Sequence, residues 1–335
     1  MKTPPLQIPP GIRIIGPPKN ECGRAWAAHI PVPPQELQDL LCSPPLDGAI
    51  LAVHIPSAER LAFVVEKCGA ADKKDKMYSF TFTLQPAEQE GELMIASVAP
   101  HLQGQGIAKQ AVSRLFDMAR RHFNVRRIHT SASHENGGYT WARFGFYPKQ
   151  ADWDTLRTGA LAQKADSFAH GIPEPAMAQL QAALACPLPE ALGFIAALKT
   201  PTRDIPLGQW LMATTRCHEG KGRLSEYGWE QLSACARARL EKLEGQVPAP
   251  TLERLADLLE SPLDQSDRIA REITAPVSGI PLGQLMLSGC SWRGTLNLDN
   301  SAQAAIYTAY VGQGPVRPDI PAPLPPALRR PKGPS

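Results

Sequence analysis

Two groups of residues in the first half of the chain have the types and spacing that chemistry requires. One is the loop Gln103-Gly-Gln-Gly106, which stands between an apolar run and a helical pattern. Loop glycines allow a tight turn, and the first amides of the following helix have no intrahelical acceptor, so the loop predicts a phosphate-binding site. The other group consists of side chains that can exchange protons, namely Glu92, His129, His134 and Glu135.

Regular elements surround these residues and must position them. Residues 93–98 form an apolar run that predicts a strand, and residues 107–122 repeat apolar side chains at helical spacing. Further strands are predicted at residues 49–55, 61–68, 77–84 and 125–131. These elements predict a mixed α/β domain in which a helix crosses between two parallel strands.

Three kinds of phosphate loop compete for this pattern. A P-loop requires GxxxxGK(S/T), and no such string occurs near the loop. The dinucleotide fingerprint requires a third glycine, but this chain has Lys109 at that position. It also requires an acidic residue at the end of a second strand, whereas Asp117 lies in the middle of the predicted helix. Residues 98–108 resemble the V-x-P-x-x-(R/Q)-G-x-G-(I/L)-(A/G) signature of the GNAT acyltransferase superfamily. The element order and the string Phe144-Gly-Phe146 extend this resemblance over roughly residues 45–150.

The resemblance implies that the loop binds the pyrophosphate of acyl-coenzyme A through backbone amides. The residues that would surround the pyrophosphate are Gln103, Gly104, Gln105, Gly106, Ile107 and Ala108. Ser97 and Val98, at the end of the preceding strand, would bind the pantetheine arm, which adds like an extra strand. The candidates for contact with the 3′-phosphate are Lys109, Arg114, Arg120 and Arg121. A solvated helix face is the alternative interpretation of each of these four residues.

Acyl transfer to an amine requires a base for the amine, a donor to the carbonyl oxygen and an acid for the leaving thiolate. Glu92 is the predicted base, acting directly or through a water, and His129, His134 and Glu135 are the alternatives. A surface or packing role is the alternative interpretation of each. In many GNAT members the acid is a tyrosine four residues before the glycine of the Gly-Phe element. This chain has Trp141 there, and an indole cannot protonate a thiolate.

Tyr139, two residues earlier, is the predicted acid if the short helix is shifted or tightened. The family's cofactor-binding asparagine usually lies about eleven residues before the glycine. Here Asn136 lies nine before it, and His134 occupies the nominal place. A two-residue shortening of the connecting helix accounts for both shifts, in which case Asn136 and Tyr139 keep their roles. The alternative is that the acid is absent.

Prolines and a repeated pentapeptide divide the chain. Residues 1–20 predict a proline-rich, flexible or extended arm, residues 21–155 the GNAT-like domain, and residues 313–335 a proline-rich disordered tail. Residues 156–312 predict a helix-rich domain in which Ile-Pro-Leu-Gly-Gln occurs at position 205 and again at position 280. We interpret this as an internal duplication, each copy continuing into an apolar stretch, a glycine-leucine turn such as residues 294–297, and a helix. The expected fold class is an α/β domain with a mixed sheet followed by this helix-rich domain.

The totals of the chain bound its environment and partners. The 335 residues are enough for two domains with cores of their own. A formal net charge of +3 argues against a large nucleic-acid footprint, although the basic segment 114–127 leaves a tRNA acceptor open. No apolar run is long enough to cross a bilayer, and no signal-peptide core is present. The seven scattered cysteines predict reduced thiols in a cytoplasmic setting and no metal site.

These observations predict an acyl-CoA-dependent N-acyltransferase that transfers acetyl from acetyl-CoA to an amine on a protein or a polar small molecule. The duplicated module would present or select the acceptor. Two alternatives stay open. One is a GNAT-like module that binds coenzyme A or a partner with little or no catalysis. The other is a toxin or effector-type acetyltransferase, which the proline-rich ends and the appended domain suggest.

Overall fold

The computed structural model describes residues 7–44, 46–57, 59–69, 76–132, 137–215, 226–241 and 245–312. In this part of the chain the strands are β1 (Ile12–Ile15), β2 (Ile50–His54), β3 (Leu61–Cys68), β4 (Lys76–Gln85), β5 (Glu90–Val98), β6 (Arg127–Ala132), β7 (Tyr147–Pro148), β8 (Ile205–Pro206), β9 (Pro276–Val277) and β10 (Trp292–Asn297). The helices are α1 (Cys22–His29), α2 (Pro34–Cys42), α3 (Ile107–Phe123), α4 (Gly137–Arg143), α5 (Gln150–Thr158), α6 (Ala160–Ser167), α7 (Glu174–Ala185), α8 (Ala191–Ala196), α9 (Leu207–Thr215), α10 (Glu226–Glu241), α11 (Ala249–Leu259), α12 (Ser266–Glu272), α13 (Leu282–Leu287) and α14 (Ser301–Gly312).

The described chain divides into two compact units. The first contains the residues up to 130 together with residues 295–312, and the second contains residues 131–294. This division differs from the boundary at residue 155 that the sequence predicted. The chain leaves the first unit within β6 and returns to it within β10. Such a return depends on strand pairing between distant residues, which produces no change in local composition.

A sheet forms the centre of the first unit, with the strand order β1-β2-β3-β4-β5-β6-β10. Strands β2 to β5 are antiparallel neighbours, and β5 runs parallel to β6, as predicted for strands joined by a crossing helix. Strand β10 runs antiparallel to β6, because Leu298 N donates to Arg126 O at 2.8 Å while Thr295 pairs with His129 further along. The predicted mixed α/β sheet is therefore confirmed.

Helix α3 covers one face of this sheet through an aromatic layer. Its residue Phe116 lies 5.7 Å from Phe82 of β4, and Phe123 lies 5.8 Å from Phe63 of β3. The helix was predicted from its apolar stripe, and its observed bounds match that prediction closely. Tyr307 of α14 packs against the same Phe116 ring, at 6.0 Å. Aromatic pairs at these distances stabilise the layer beyond the area they bury.

Strand β1 lies inside the segment that was predicted to be an arm. Residues 12–15 pair in parallel with β2, and Leu51 N donates to Gly11 O at 2.9 Å. Ile12 is buried at the first position of the pairing. The segment predicted to be a flexible or extended arm is therefore extended at these four residues, where it forms a paired strand. A short apolar run between prolines gains its partner about forty residues later, and local composition cannot indicate this.

The second unit is mostly helical. The sequence predicts helices at residues 174–185, 189–198, 228–243 and 250–259. The observed helix α7 has the predicted bounds, and α8, α10 and α11 lie within two residues of the predicted limits at each end. Residues 294–297 were predicted to form a turn, and this prediction is wrong because they belong to β10. Within the second unit the start of β10 lies beside β7, where Lys149 N donates to Arg293 O at 2.9 Å. That pairing extends the backbone where glycine and leucine suggested a turn.

Hydrogen bonds in the second unit recur at the offset that separates the two pentapeptides, from position 205 to position 280. Leu207 N donates to Ala275 O at 2.8 Å, and the residues at the equivalent positions reverse this contact, since Leu282 N donates to Thr200 O at 3.0 Å. Further donor–acceptor pairs matched at this offset are Gly208 N to Ile273 O with Gly283 N to Leu198 O, and Thr215 Oγ1 to Leu211 O with Cys290 Sγ to Met286 O. The bond from Trp153 Nε1 to Cys186 O resembles that from Trp229 Nε1 to Ser261 O, although Trp229 lies one position beyond the counterpart of Trp153. The matched halves are residues 151–215 and 226–290.

Each half also contributes one buried cation to the other half. Lys164 Nζ donates to Met286 O at 3.1 Å and to Ser288 O, at the end of α13. Arg239, which is the counterpart of Lys164 at the same offset, donates to Oγ1 and O of Thr214, at the end of α9. Each repeated pentapeptide stands at the start of the last helix of its half. Each half therefore ends with its pentapeptide and the helix that begins there. The sequence interpretation instead placed the pentapeptide at the start of each repeated segment.

Candidate functional site

The glycine loop joins β5 to α3 through a short 3₁₀ turn, Pro100–Leu102. Gly104 has φ +85° and Gly106 has φ +80°, in the left-handed region that favours glycine. A Cβ atom added at either position would meet no atom within 4 Å. Backbone conformation, and not lack of space, is therefore what requires glycine at both positions.

The loop presents backbone amides at the start of α3. The first helical bond runs from Gln110 N to Gly106 O at 3.0 Å, so the amides of residues 107–109 have no acceptor within the helix. The first turn carries no acidic residue, and the positive end of the helix dipole is uncompensated there. Gln103 Nε2 donates to Val98 O at 3.1 Å and fixes the loop against the strand. This geometry suits an anion such as a pyrophosphate.

The basic residues of α3 differ in their surroundings. The Lys109 ammonium lies 5.3 Å from the centre of the Tyr310 ring, near the start of the helix. The Arg114 guanidinium donates to Ser43 O and to Pro44 O, both at 2.6 Å, so it holds the chain that follows α2. Residues 120–121 lie in the last turn, about 20 Å along the helix from the loop. Lys109 is therefore the closest of the four predicted cations to the loop.

Strand β5 has an open side where it approaches the loop. Its pairing with β6 covers residues 90–93 and does not continue toward Val98 in the described ladder. Met94 forms a bulge, because Phe82 pairs with Leu93 whereas Thr81, the residue before it in β4, pairs with Ile95. Met94 is 53% exposed and Ile95 is 50% exposed, which is unusual for strand residues of their size. The predicted pantetheine residues 97–98 lie at the end of this open stretch.

A polar row crosses β5, β6 and β10 on one face of the sheet. Glu92, which is exposed, is the direct neighbour of His129 in the parallel pairing of β5 with β6. His129 Nδ1 lies 3.0 Å from Thr295 Oγ1, and its Nε2 lies 3.3 Å from Glu90 Oε2. Arg127 also contacts Glu90, at 2.8 Å. The structure therefore places two predicted candidates, Glu92 and His129, side by side.

Thr295 is a residue of this row that sequence reasoning did not find. It lies 166 positions after His129 in the chain, on the strand that returns to the first unit. Gln303 of α14 holds this strand, since its amide donates to Thr295 O at 2.7 Å and accepts from Asn297 N at 3.2 Å. No local motif marks Thr295, and only the pairing of β10 with β6 brings it to the imidazole.

The second unit contains the aromatic element that follows β6 in the chain. Trp141 is buried, and its ring lies 5.5 Å from Phe144 and 5.9 Å from Phe146. Tyr139 is half-buried, and the Arg143 guanidinium lies 5.5 Å from its ring. Trp141 is thus a core residue, whereas Tyr139 retains access to solvent.

Tyr147 directly follows Phe146 in the chain. Burial, with a smaller contribution from Glu190, raises the pKa of Tyr147 to about 12, which makes its hydroxyl a weaker proton donor than an ordinary tyrosine. Predicted residues Asn136, His134 and Glu135 lie outside the described residues. Their roles stay predictions.

Among the residues that the structure describes, no three His, Cys, Asp or Glu side chains are grouped in a way that would hold a metal ion. None of the helices described there combines the length and the apolar character that crossing a membrane requires.

Comparison with known proteins bears on the segment that contains the loop. Residues 68–146 match the family model described as Acetyltransferase (GNAT) family. No curated protein and no solved structure matched the chain. The matched segment begins at the end of β3, includes β4, β5, the glycine loop, α3 and β6, and ends at Phe146. With the glycine conformations, the exposed helix amides and the parallel β5–β6 pair, this match establishes that the chain carries a GNAT-superfamily acetyltransferase domain.

Proposed function

We propose that the protein is an N-acetyltransferase that transfers the acetyl group of acetyl-CoA to an amine on a protein or a polar small molecule. The observation that carries the proposal is the continuity of the open side of β5 with the glycine loop. The first offers unpaired backbone groups to an extended pantetheine arm, and the second offers amides to a pyrophosphate. Both belong to the first unit, on consecutive stretches of chain.

The left-handed backbone at Gly104 and Gly106 supports the proposed binding of acetyl-CoA. Ser97 and Val98 would bind the pantetheine arm through their main chain, and the residues proposed to surround the pyrophosphate are Gln103, Gly104, Gln105, Gly106, Ile107 and Ala108. Lys109 is the cation placed to reach a further phosphate. Asn136 is proposed as a cofactor contact from the family resemblance alone.

Glu92 is the proposed base. The amine must lose a proton as its nitrogen bonds to the acetyl carbon and the carbon–sulfur bond breaks. Glu92 is exposed, whereas both ring nitrogens of the neighbouring His129 lie close to oxygen atoms of Thr295 and Glu90. A carboxylate in solvent can accept the proton directly or through a water. His129 would have to give up one of its contacts to do so.

Tyr139 is the proposed acid that protonates the leaving thiolate. Its half-buried ring supports this role, and the burial of Trp141 means that the residue at the family's usual position is used for packing. The same observation favours one second function, a GNAT-like module that binds acetyl-CoA without turnover. Replacing Tyr139 by Phe removes only the hydroxyl and should lower the transfer rate by about a hundredfold if it is the acid.

Binding of acetyl-CoA by the purified full chain tests the assignment first. A ligand present at a hundred times its Kd stabilises the folded state by about 2.7 kcal/mol, which is readily measured as a rise in Tm. The variant Gly106→Ala forces a Cβ into the left-handed region and should weaken binding about tenfold through distortion of the loop. Gly279→Ala is the matched control, because Gly279 has φ +77° and equally open surroundings outside the loop.

The possible results distinguish the proposed acetyltransferase from a module that binds acetyl-CoA without turnover. No stabilisation by acetyl-CoA would overturn the cofactor assignment. Equal weakening by Gly106→Ala and Gly279→Ala would show that the loop is not the binding site. Binding without transfer to any amine in a cell lysate supplied with labelled acetyl-CoA would favour the non-catalytic module. The matched halves of the second unit are proposed to select the acceptor, and loss of the label from a specific product in a second-unit variant would support that role.

A further inference from the structure

A cavity of about 540 Å³ lies in the first matched half of the second unit, between α6 and α7. Residues of two helices form its walls. Ala165 and Asp166 line the cavity from α6, and Glu174, Met177 and Leu184 line it from α7. The volume is within the range of sites that bind small molecules. The cavity belongs to neither the glycine loop nor the polar row, so the proposed function does not account for it.

The polar lining gathers at one end of this cavity. Asp166 lies in the last turn of α6, His170 in the 3₁₀ turn that follows, and Glu174 at the first position of α7. Arg203 joins the same end, because its backbone N donates to Gly171 O at 2.8 Å. Across the described part of the chain, none of these four side chains forms a hydrogen bond or an ion pair. Two carboxylates and a guanidinium thus line one space, and all three of these side chains are exposed.

Toward the other end of α7 the lining contains Leu184, with Gln181 one turn before it. Leu184 lies ten residues after Glu174 on α7, which is about 15 Å along the helix axis. Met177 and the buried Ile172 line the space between the two ends. A ligand that fills this cavity therefore has a charged head and an apolar body.

The second matched half provides an internal comparison. The buried positions keep their character, as in Leu161 and Ala236 or Leu180 and Leu255, all fully buried. The cavity positions differ in part. The counterparts of Ala165, His170, Glu174, Gln181 and Arg203 are Leu240, Gly245, Ala249, Ala256 and Ser278, whereas Asp166, Met177 and Leu184 correspond to the similar residues Glu241, Leu252 and Leu259. The first half thus has a smaller residue at position 165 and polar side chains at four positions where the other half has Gly, Ala or Ser.

From this arrangement we infer that the cavity binds an α-amino acid with a large apolar side chain. The ammonium group lies between Asp166 and Glu174, the carboxylate pairs with Arg203, and the side chain extends over Met177 toward Leu184. Charge-assisted hydrogen bonds to both ends of the head group give the specificity. A divalent cation is a poorer fit, because over the described residues no metal-holding group of side chains occurs at this place. The inference does not depend on acetyl transfer.

Three matched probes test the head-group recognition by calorimetry on the full chain. L-phenylalanine carries both charges, phenethylamine lacks the carboxylate, and 3-phenylpropanoate lacks the ammonium. We expect L-phenylalanine to bind at least about tenfold more tightly than either analogue, which corresponds to one lost charge-assisted contact. A Kd for L-phenylalanine weaker than about 10 mM would overturn the inference. Equal affinity for all three probes would also overturn it.

Two variants that install residues of the other half locate the site. Arg203→Ser should weaken L-phenylalanine about tenfold and leave phenethylamine unchanged, because only the carboxylate contact is lost. Ala165→Leu should abolish binding of both by filling the cavity. Lys199→Ser is the control for Arg203→Ser, as it removes an exposed cation outside the cavity. If Ala165→Leu does not fold, the exposed position 203 still decides, and unchanged L-phenylalanine binding in Arg203→Ser would refute the proposed site.

Discussion

Lys164 offers the sharpest test of how the second unit is held together. Its side chain is 4% exposed, and its ammonium donates to Met286 O at 3.1 Å and to Ser288 O. A third carbonyl, Leu285 O, lies at 3.5 Å. These groups belong to the end of α13, where helix carbonyls have no partner within the helix. The lysine therefore replaces the solvent that these carbonyls cannot reach.

The variant Lys164→Met keeps the length of the side chain and removes every donor. Met286 O and Ser288 O each lose the hydrogen bond from Lys164, at about 1–3 kcal/mol each, while Met286 O still accepts from Cys290 Sγ. Removal of a buried cation returns part of this, since desolvation of the charge no longer opposes folding. We expect a net loss of about 2–4 kcal/mol in the free energy of unfolding, measured by urea denaturation. Arg239→Met should act in the same direction, because Arg239 holds Thr214 at the end of α9.

The pH dependence of the same variant gives a second readout with a defined sign. Burial, and to a smaller extent the charge of Arg239, lowers the pKa of Lys164, whereas Cys290 opposes this. In the unfolded chain the lysine titrates near 10.4, at about its ordinary value. Between the lowered folded pKa and about 10.4 the unfolded state binds more protons, so this group makes the protein more stable as the pH rises. That contribution is lost as the pH falls through the folded pKa.

The stability difference between the wild type and Lys164→Met should therefore widen from pH 7 toward pH 10. A difference that stays flat or narrows over this range would refute the assignment of a lowered pKa. A loss smaller than about 0.5 kcal/mol at pH 7 would refute the role of Lys164 in holding α13. Lys149→Met, at an exposed position, should change neither quantity.

Two further predictions concern close packing and thiol reactivity. Gly208→Ala should destabilise the protein by about 3 kcal/mol or more, because the new Cβ would lie 2.0 Å from Ile269 O, whereas Gly312→Ala meets no atom within 4 Å and should be nearly neutral; urea denaturation compares them. Burial raises the pKa of the Cys42 thiol to about 11, against a smaller opposing effect of Arg114. Iodoacetamide at pH 8 should therefore label Cys42 about a hundredfold more slowly than the half-exposed Cys22, as followed by peptide mass spectrometry, and equal rates would refute the burial argument.

The parts of the fold that the sequence predicted are those that short segments determine. The stripe of α3 repeats over several turns, and β4 alternates its side chains along one strand, so both carry their signal locally. The tight turn at Gly104 and Gly106 was predictable from these two residues, because a left-handed backbone strongly favours glycine. The same locality explains why Glu92 and His129 were found as candidates, while their adjacency required the β5–β6 register.

The parts that were missed depend on contacts between distant residues. Strand β1 and the return of β10 to the first unit are fixed by pairing, and neither stretch carries a pattern that names its partner. Thr295 could not be associated with His129 for the same reason. Residues 294–297 were interpreted as a turn because glycine is common in turns. In the structure Gly294 packs closely against Trp292 and the backbone of Tyr147, where a Cβ would not fit.

The repeated pentapeptide shows which constraints stay visible in a sequence. In both copies the glycine approaches the backbone of another helix so closely that a Cβ would collide, at 2.0 Å from Ile269 O for Gly208 and at 2.4 Å from Ile195 O for Gly283. No side chain larger than that of glycine satisfies this contact, which accounts for the glycine in both copies of the pentapeptide. The buried cation has a looser requirement, and Lys164 and Arg239 both meet it. In helix interiors, different apolar residues can fill the same volume, so the sequences of the two halves can differ there. The correspondence between the halves is therefore seen in their matched hydrogen bonds and not in their sequences.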